Sequence, residues 1–491
     1  MNNSKQRLRL TAVMLLAILL TSMLVSCGDR DTAGAGTETE IITETVETTT
    51  AVTLSEKEIL YSDLPTGSYN GYEFRIISYS DPTDNSFRIE AMDGDVLHDA
   101  IFARNRDVLE LLDVSFSYVQ NTNVVSQISS TVLAGDDAYD LADAQAMHIA
   151  PKVNAGIFLD LYDIETINTD KPWWDAKTAA EYELMDRLYF IHGDINTFGL
   201  GTIWSIYFNN KLVKDSGLED MYKLVNDGRW TIAKLSEYGL ACTRDLNGDG
   251  SIHLIDDVVA MMTNNSFYLS LLHGAGESLI TKDKDGIPIF EKPDARMVNV
   301  FDAIVEYCMD SGNFFRYNTD YGITDNNVRF NLFASDMVLF SGMMVDSGKF
   351  LRDMENDFGL LPLPKYDDSQ EEYYSYQGPS AGAQAVPSSI KDPDMVGTII
   401  ENLCAFSHYE MREAYFETTL QDKIFRDVES NNMLDIIYGN VTAELGYVYG
   451  YNKIYNTYIN AINNRQGVAS SFESVYEATN AAIEVFIADL D

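Results

Sequence analysis

Positive charge is scarce in this chain. Lys and Arg number 34 against 76 Asp and Glu, and the formal net charge is −42. Such a surface repels nucleic acid, because phosphate binding needs Lys and Arg, and it repels anionic lipid headgroups. It suits an exported protein with a neutral or cationic solute, without choosing the solute. Cysteine is sparse too: Cys27, Cys242, Cys308 and Cys404 are the four in 491 residues. If Cys27 is modified an odd number remains, so disulfides do not organise the fold. Buried free thiols are expected instead, with a single bridge among the remaining three as the alternative. The six histidines are dispersed, and the chain has no His-Glu-x-x-His and no phosphate-binding glycine loop. With 76 acids, a carboxylate pair at glycosidase spacing carries no information. Beyond the N-terminus no hydrophobic run is long enough to cross a bilayer.

The N-terminus has the build of a secretory leader. Lys5, Arg7 and Arg9 precede an apolar run from Leu10 to Leu20, too short for a comfortable membrane span. Leu24-Val25-Ser26-Cys27 closes it and resembles a bacterial lipobox. That resemblance implies a signal peptide over 1–26 and a lipid such as palmitate on the Cys27 sulfur. The protein would then be tethered to the outer face of the cytoplasmic membrane. Residues 27–60 follow as a linker rich in Thr, Glu, Gly and Ala, which cannot order itself by burial.

From Glu73 strands and helices alternate. The pattern predicts strands at Phe74–Tyr79, Val114–Val119, Tyr139–Ala142 and Leu188–His192, and helices over Val96–Leu112 and Val124–Leu133. Shorter strands are predicted near Met337–Phe340, Gly359–Pro362 and Ala383–Val386, with a hairpin turn at Asp283–Gly286. Such alternation argues for an α/β fold with parallel or mixed sheets covered by helices.

Several segments in order resemble extracellular solute-binding proteins of bacterial ABC importers, the family 1-like sugar-binding group. They are Tyr139-Asp140-Leu141 with Gly156–Leu161, Tyr207–Leu212 with Ser216-Gly217-Leu218, Asp227–Thr231, Phe358–Lys365 and Ser380–Pro387. The Ser80–Asn85 loop is generic by comparison. The resemblance implies a two-lobe, periplasmic-binding-protein-like (type II) fold with a hinge and an inter-lobe cleft. Lobe I would take 61–197 plus 373–410, and lobe II 198–372 plus 411–491. The implied function is capture of an extracellular sugar or oligosaccharide for import by a monomer that docks on transmembrane permease subunits. Alternatives are a surface glycoside hydrolase and a calcium-dependent scaffold module.

All four tryptophans fall within a short window, and an indole face suits the C–H face of a sugar ring. Trp173 and Trp174 follow Pro172 in a loop-like setting and are candidate ligand contacts; Trp230, before the N-capping candidate Thr231, reads as core. Asp194, after Gly193, offers a carboxylate for two hydroxyls. Tyr79, Gln145 and Gln384 stand at strand ends, where ligands meet α/β folds. Tyr207 and Asn209 read mainly as framework and secondarily as candidate ligand contacts. Asp245, Asn247, Asp249, Ser251 and Asp256 resemble a calcium loop of the EF-hand or dockerin type, with oxygens at alternate positions and Gly250 at the turn. The expectation is a weak structural Ca2+ site; a bare Asx-rich turn is the alternative.

Overall fold

The computed structural model describes residues 55–79, 86–312, 314–420 and 428–490. The leader, Cys27, nearly all of the linker and the Ser80–Asn85 loop lie outside them.

The first half opens as a repeated strand–helix unit: β1 (Tyr72–Tyr79), α1 (Val96–Leu112), β2 (Val114–Asn121), α2 (Val124–Leu133) and β3 (Leu141–Gln145). Each helix obeys its sequence. Asp95 caps α1 by accepting the Leu97 and His98 N–H groups, and Ile101, Val108 and Leu112 form its buried stripe. Asp113, left-handed at φ 51°, ends the helix. The remaining elements used below are α3 (Ala176–Tyr182), β4 (Ile203–Asn209), β5 (Val259–Thr263), β6 (Thr281–Lys282), β7 (Pro288–Ile289), β8 (Phe314–Arg316), β9 (Val338–Met344), β10 (Phe358–Leu361), β11 (Ser375–Gln377), β12 (Gly382–Ala385), α4 (Pro393–Phe406), α5 (Arg412–Leu420) and β13 (Val441–Thr442).

These strands build two sheets and a hairpin. The four-stranded sheet runs β12-β3-β1-β2, parallel except for β12, which lies antiparallel to β3. The seven-stranded sheet runs β13-β11-β4-β9-β5-β8, with β10 also on β4. β6 and β7 pair around the Asp283–Gly286 turn, and Gly286 takes φ +75°, as a tight hairpin turn requires. Sequence-adjacent β11 and β12 therefore belong to different sheets.

The chain crosses between the two sheets three times. The first crossing runs from Asp194 to β4, and the second is Gly378–Ala381. The third is the helical run α4–α5: α4 packs on α1, while α5 touches both α1 and the Val345–Leu351 turn that follows β9. A π-helical turn, Ser407–Met411, joins α4 to α5. Because β11 pairs with β4 and β12 with β3, the return to the smaller sheet falls at Gly378–Ala381.

The predicted Leu188–His192 strand is not a full strand. Ile191 exchanges two backbone bonds with Gln384, and Gly193 bridges Trp174, so the segment is a bridged extension beside β12. Cys242, Cys308 and Cys404 are free and buried, as expected.

Candidate functional site

The site grows from the segment before the first crossing. Pro172-Trp173-Trp174-Asp175 leads into α3, with Asp175 capping the Lys177 and Thr178 N–H groups. The two adjacent indoles splay around one carboxylate. Trp173 Nε1 donates to Glu401 Oε1 at 3.0 Å and Trp174 Nε1 to Glu401 Oε2 at 2.9 Å. Glu401, on α4, is 1% exposed. Burial pushes its pKa up to about 7, against the lowering effect of the Trp174, Asn168 and Trp173 donors. The Trp174 ring lies on the Gly193 backbone, where a Cβ would sit 2.7 Å from the ring and 3.1 Å from Cys404 Sγ. Only glycine leaves room there.

Asp194 follows. Its N–H donates to the Trp173 carbonyl, and its Oδ2 lies 2.5 Å from His408 Nδ1 and 3.5 Å from Arg412 Nη1. His408 belongs to the π-turn and Arg412 opens α5, so the wide turn brings both to this carboxylate. Oδ1 of Asp194 takes no hydrogen bond among the described residues.

A cavity of about 290 Å3 opens beside this group. Trp174, Gly193, Asp194, Ile203, Tyr438 and Val441 are among the residues that line it. Gln377 ends β11 where the second crossing begins, Arg412 comes from the third crossing, and Lys177 from α3. All three crossings thus meet at one small chamber, near the lower end of small-molecule sites, about 300 Å3. Asp175 and Asp194 balance Lys177 and Arg412 in number, so the lining is charge-neutral within a strongly acidic protein.

The sequence candidates divide accordingly. Trp174 and Asp194 share this cavity. Trp173 does not: it is 1% exposed and packed in the core, with its N–H on Glu401. Gln384 is buried as a clamp, accepting the Gly193 N–H and donating to Asp143. Tyr207 is wholly buried, its hydroxyl donating to the Val345 carbonyl, because every residue of β4 lies inside the seven-stranded sheet. Asn209 caps the following helix through the Leu212 N–H and donates to Asp336. These four are framework rather than cavity wall. Tyr79 and Gln145 stand together at the ends of β1 and β3, beside Asn196 and Gly382, apart from the first cavity. Trp230 is core, with its indole donating to the Pro362 carbonyl, and Thr231 is the N-cap.

The 245–256 loop is closed by its own amides. Asp245 accepts the Gly248 and Gly250 N–H groups, Asn247 that of Asp249, and Asp249 that of Ser251. Asp257, not Asp256, folds inward to accept the Leu246 and His253 N–H groups, which hold its carboxyl below the usual range. Among the described residues no group of three or more His, Cys, Asp and Glu side chains is placed to hold a metal.

Sheet order, three crossings and a chamber where they meet define a two-lobe binding-protein fold. Known structures share it. A cyclic α-maltosyl-1,6-maltose binding protein of Arthrobacter globiformis aligns over 84% of this chain and 100% of its own, at 13% identity and TM-score 0.57. A sugar transporter of Rhizobium etli in an open conformation aligns over 84% and 100%, at 12% identity and TM-score 0.57. A family 1 extracellular solute-binding protein of Bifidobacterium longum subsp. infantis aligns over 85% and 100%, at 14% identity and TM-score 0.54. No family model matches the sequence, and no curated protein matches it.

Proposed function

We propose that the protein is the solute-capturing component of an ABC importer and that its solute is a neutral sugar or oligosaccharide. The observation that carries this reading is the chamber at the crossings, where the Trp174 ring, the free Oδ1 of Asp194, Gln377 and Arg412 converge without net charge. A ring face, acceptors and donors around a neutral cavity suit a polyhydroxyl ligand. The solved relatives named for sugars support the same class. Capture is reversible and involves no bond making: the lobes close on the sugar, and the closed form docks on transmembrane permease subunits. A thermal-shift screen over neutral carbohydrates tests it, because a ligand of the native state raises Tm. Trp174→Ala and Asp194→Ala should then weaken the hit in calorimetry. A screen in which no carbohydrate shifts Tm overturns the reading; variants that bind like wild type move the site elsewhere.

The lipid anchor on Cys27 belongs to this proposal. A charge of −42 argues against adhesion to anionic membranes, leaving retention to acyl chains. Cys27→Ser should release the protein or leave it unprocessed, and normal membrane retention of processed variant counts against it. We also assign weak Ca2+ binding to the 245–256 loop. It is supported by alternating oxygens at Asp245, Asn247 and Asp249 and by Gly248 and Gly250 at φ +75° and +85°. Binding would require Asp256 to swing in.

A further inference from the structure

A second cavity, of about 710 Å3, lies on the flank of the four-stranded sheet, between its edge strand β2 and helix α1. It shares no lining residue with the chamber at the crossings.

Its origin is visible in α1. One stripe of that helix, Ile101, Val108 and Leu112, enters the core. A second stripe, Phe102, Asn105, Arg106 and Leu109, has i, i+3, i+4, i+7 spacing and lines the cavity instead. On β2, alternation puts Phe116 and Tyr118 on the same side. Phe87 closes the end, its ring 5.9 Å from that of Tyr118. Four aromatic rings therefore surround one open space on a sheet edge. Phe102 is only half-buried and joins neither apolar core cluster.

Polar groups sit among the rings. Asn105 is 6% exposed, yet its Oδ1 has no hydrogen-bond partner among the described residues. Glu90 and Glu110 take part in no ion pair among the described residues; Arg88 donates to Gln120, and Arg106 pairs with Asp107. Two arginines against two glutamates leave the lining neutral. A cation or an anion would gain little from that balance. A ligand with an apolar ring face and hydroxyls that both donate and accept would satisfy the rings, the carboxylates and Asn105 together.

We propose that this flank cavity is a second carbohydrate site, which holds a neutral glycan outside the inter-sheet chamber. It acts independently of the chamber, so that an extended glycan or a cell-surface polysaccharide can be held while the chamber remains free.

The test separates the two sites. Wild type, Trp174→Ala and the flank pair Phe102→Ala/Tyr118→Ala are applied to an array of neutral oligosaccharides, and the affinity of each positive glycan is measured by calorimetry. The Trp174→Ala protein should still bind at least one glycan. Adding the flank pair to it should weaken that binding about thirtyfold or more, the scale of losing a stacked aromatic anchor. Phe102→Leu keeps the apolar volume and removes the ring; it should weaken the same glycan while circular dichroism stays native. Failure of the chamber reading shows separately, as Trp174→Ala binding every glycan like wild type. The flank proposal is overturned if the Trp174→Ala protein binds nothing on the array. It is equally overturned if the flank substitutions change nothing, or if extended peptides bind there in preference to every glycan, which would mark edge-strand addition instead.

Discussion

Replacing Glu401 with glutamine should change how stability depends on pH. In the folded protein burial raises the Glu401 pKa from 4.5 to about 7. Between those values the native state holds a proton that the unfolded chain has released. Stability therefore falls as pH rises through that window and levels off above it. The interval corresponds to about 3 kcal/mol, at about 1.4 kcal/mol per tenfold change. Glutamine is isosteric and does not ionise. Its oxygen still accepts one indole N–H, but its amide group meets the other, at a cost of about 1–3 kcal/mol for a buried donor left unpaired. At pH 4.5 that cost should stand alone, and the variant should be the weaker protein. By pH 8 the wild type has lost its own advantage, so relative to it the variant should improve by about 3 kcal/mol. Urea denaturation of both proteins at the two pH values, followed by circular dichroism, reads the difference directly. Parallel pH profiles for wild type and Glu401→Gln would refute the assignment of the raised pKa to this buried carboxyl.

Glu401→Ala removes the acceptor of both indoles and should destabilise the protein by about 2–6 kcal/mol at pH 5, from two unpaired donors, and by less at pH 8; the same denaturation series measures it. Gly193→Ala places a methyl group 2.7 Å from the Trp174 ring. It should cost about 1–3 kcal/mol as an overpacked site and should shift tryptophan emission, because the indole must leave its seat. For a calcium site with Kd of about 1 mM, 10 mM calcium should stabilise the wild type by about 1.4 kcal/mol. Asp245→Asn/Asp249→Asn should abolish that gain, and equal melting shifts in both proteins would leave a bare turn. Once a sugar is found, small-angle X-ray scattering should show compaction on saturation, and an unchanged radius would count against lobe closure.

Local chemistry was legible without coordinates. The bounds of α1 and α2 match the helices read from apolar spacing, since each carries its own stripe and termini. β1, β2, β9, β10 and β12 fall within a few residues of expectation because alternation and β-branched content are local properties. The Asp283–Gly286 hairpin, the Thr231 cap and the buried Trp230 were likewise readable from neighbours in the chain. So was the order of motifs from which the two-lobe architecture was inferred.

What the sequence could not determine is which side chains meet across distance. Trp173 and Trp174 are adjacent and chemically identical, and both are buried with their N–H groups on Glu401, more than two hundred residues later, yet only Trp174 reaches the cavity wall. His408 and Arg412 sit in an unremarkable polar helix run and become part of the site only because a π-turn swings them to Asp194. Tyr207, Asn209 and Gln384 are polar and well placed in sequence, but their hydrogen bonds are spent on Val345, on Leu212 and Asp336, and on Gly193 and Asp143. Sequence by itself determined the elements, the charge and the α/β class, because those follow from period and composition, while the two-lobe arrangement was read from the resemblance carried by its motifs. Tertiary structure alone decided the candidate site, because a cavity is lined by groups left unsatisfied after packing, and that remainder exists only once the chain has folded.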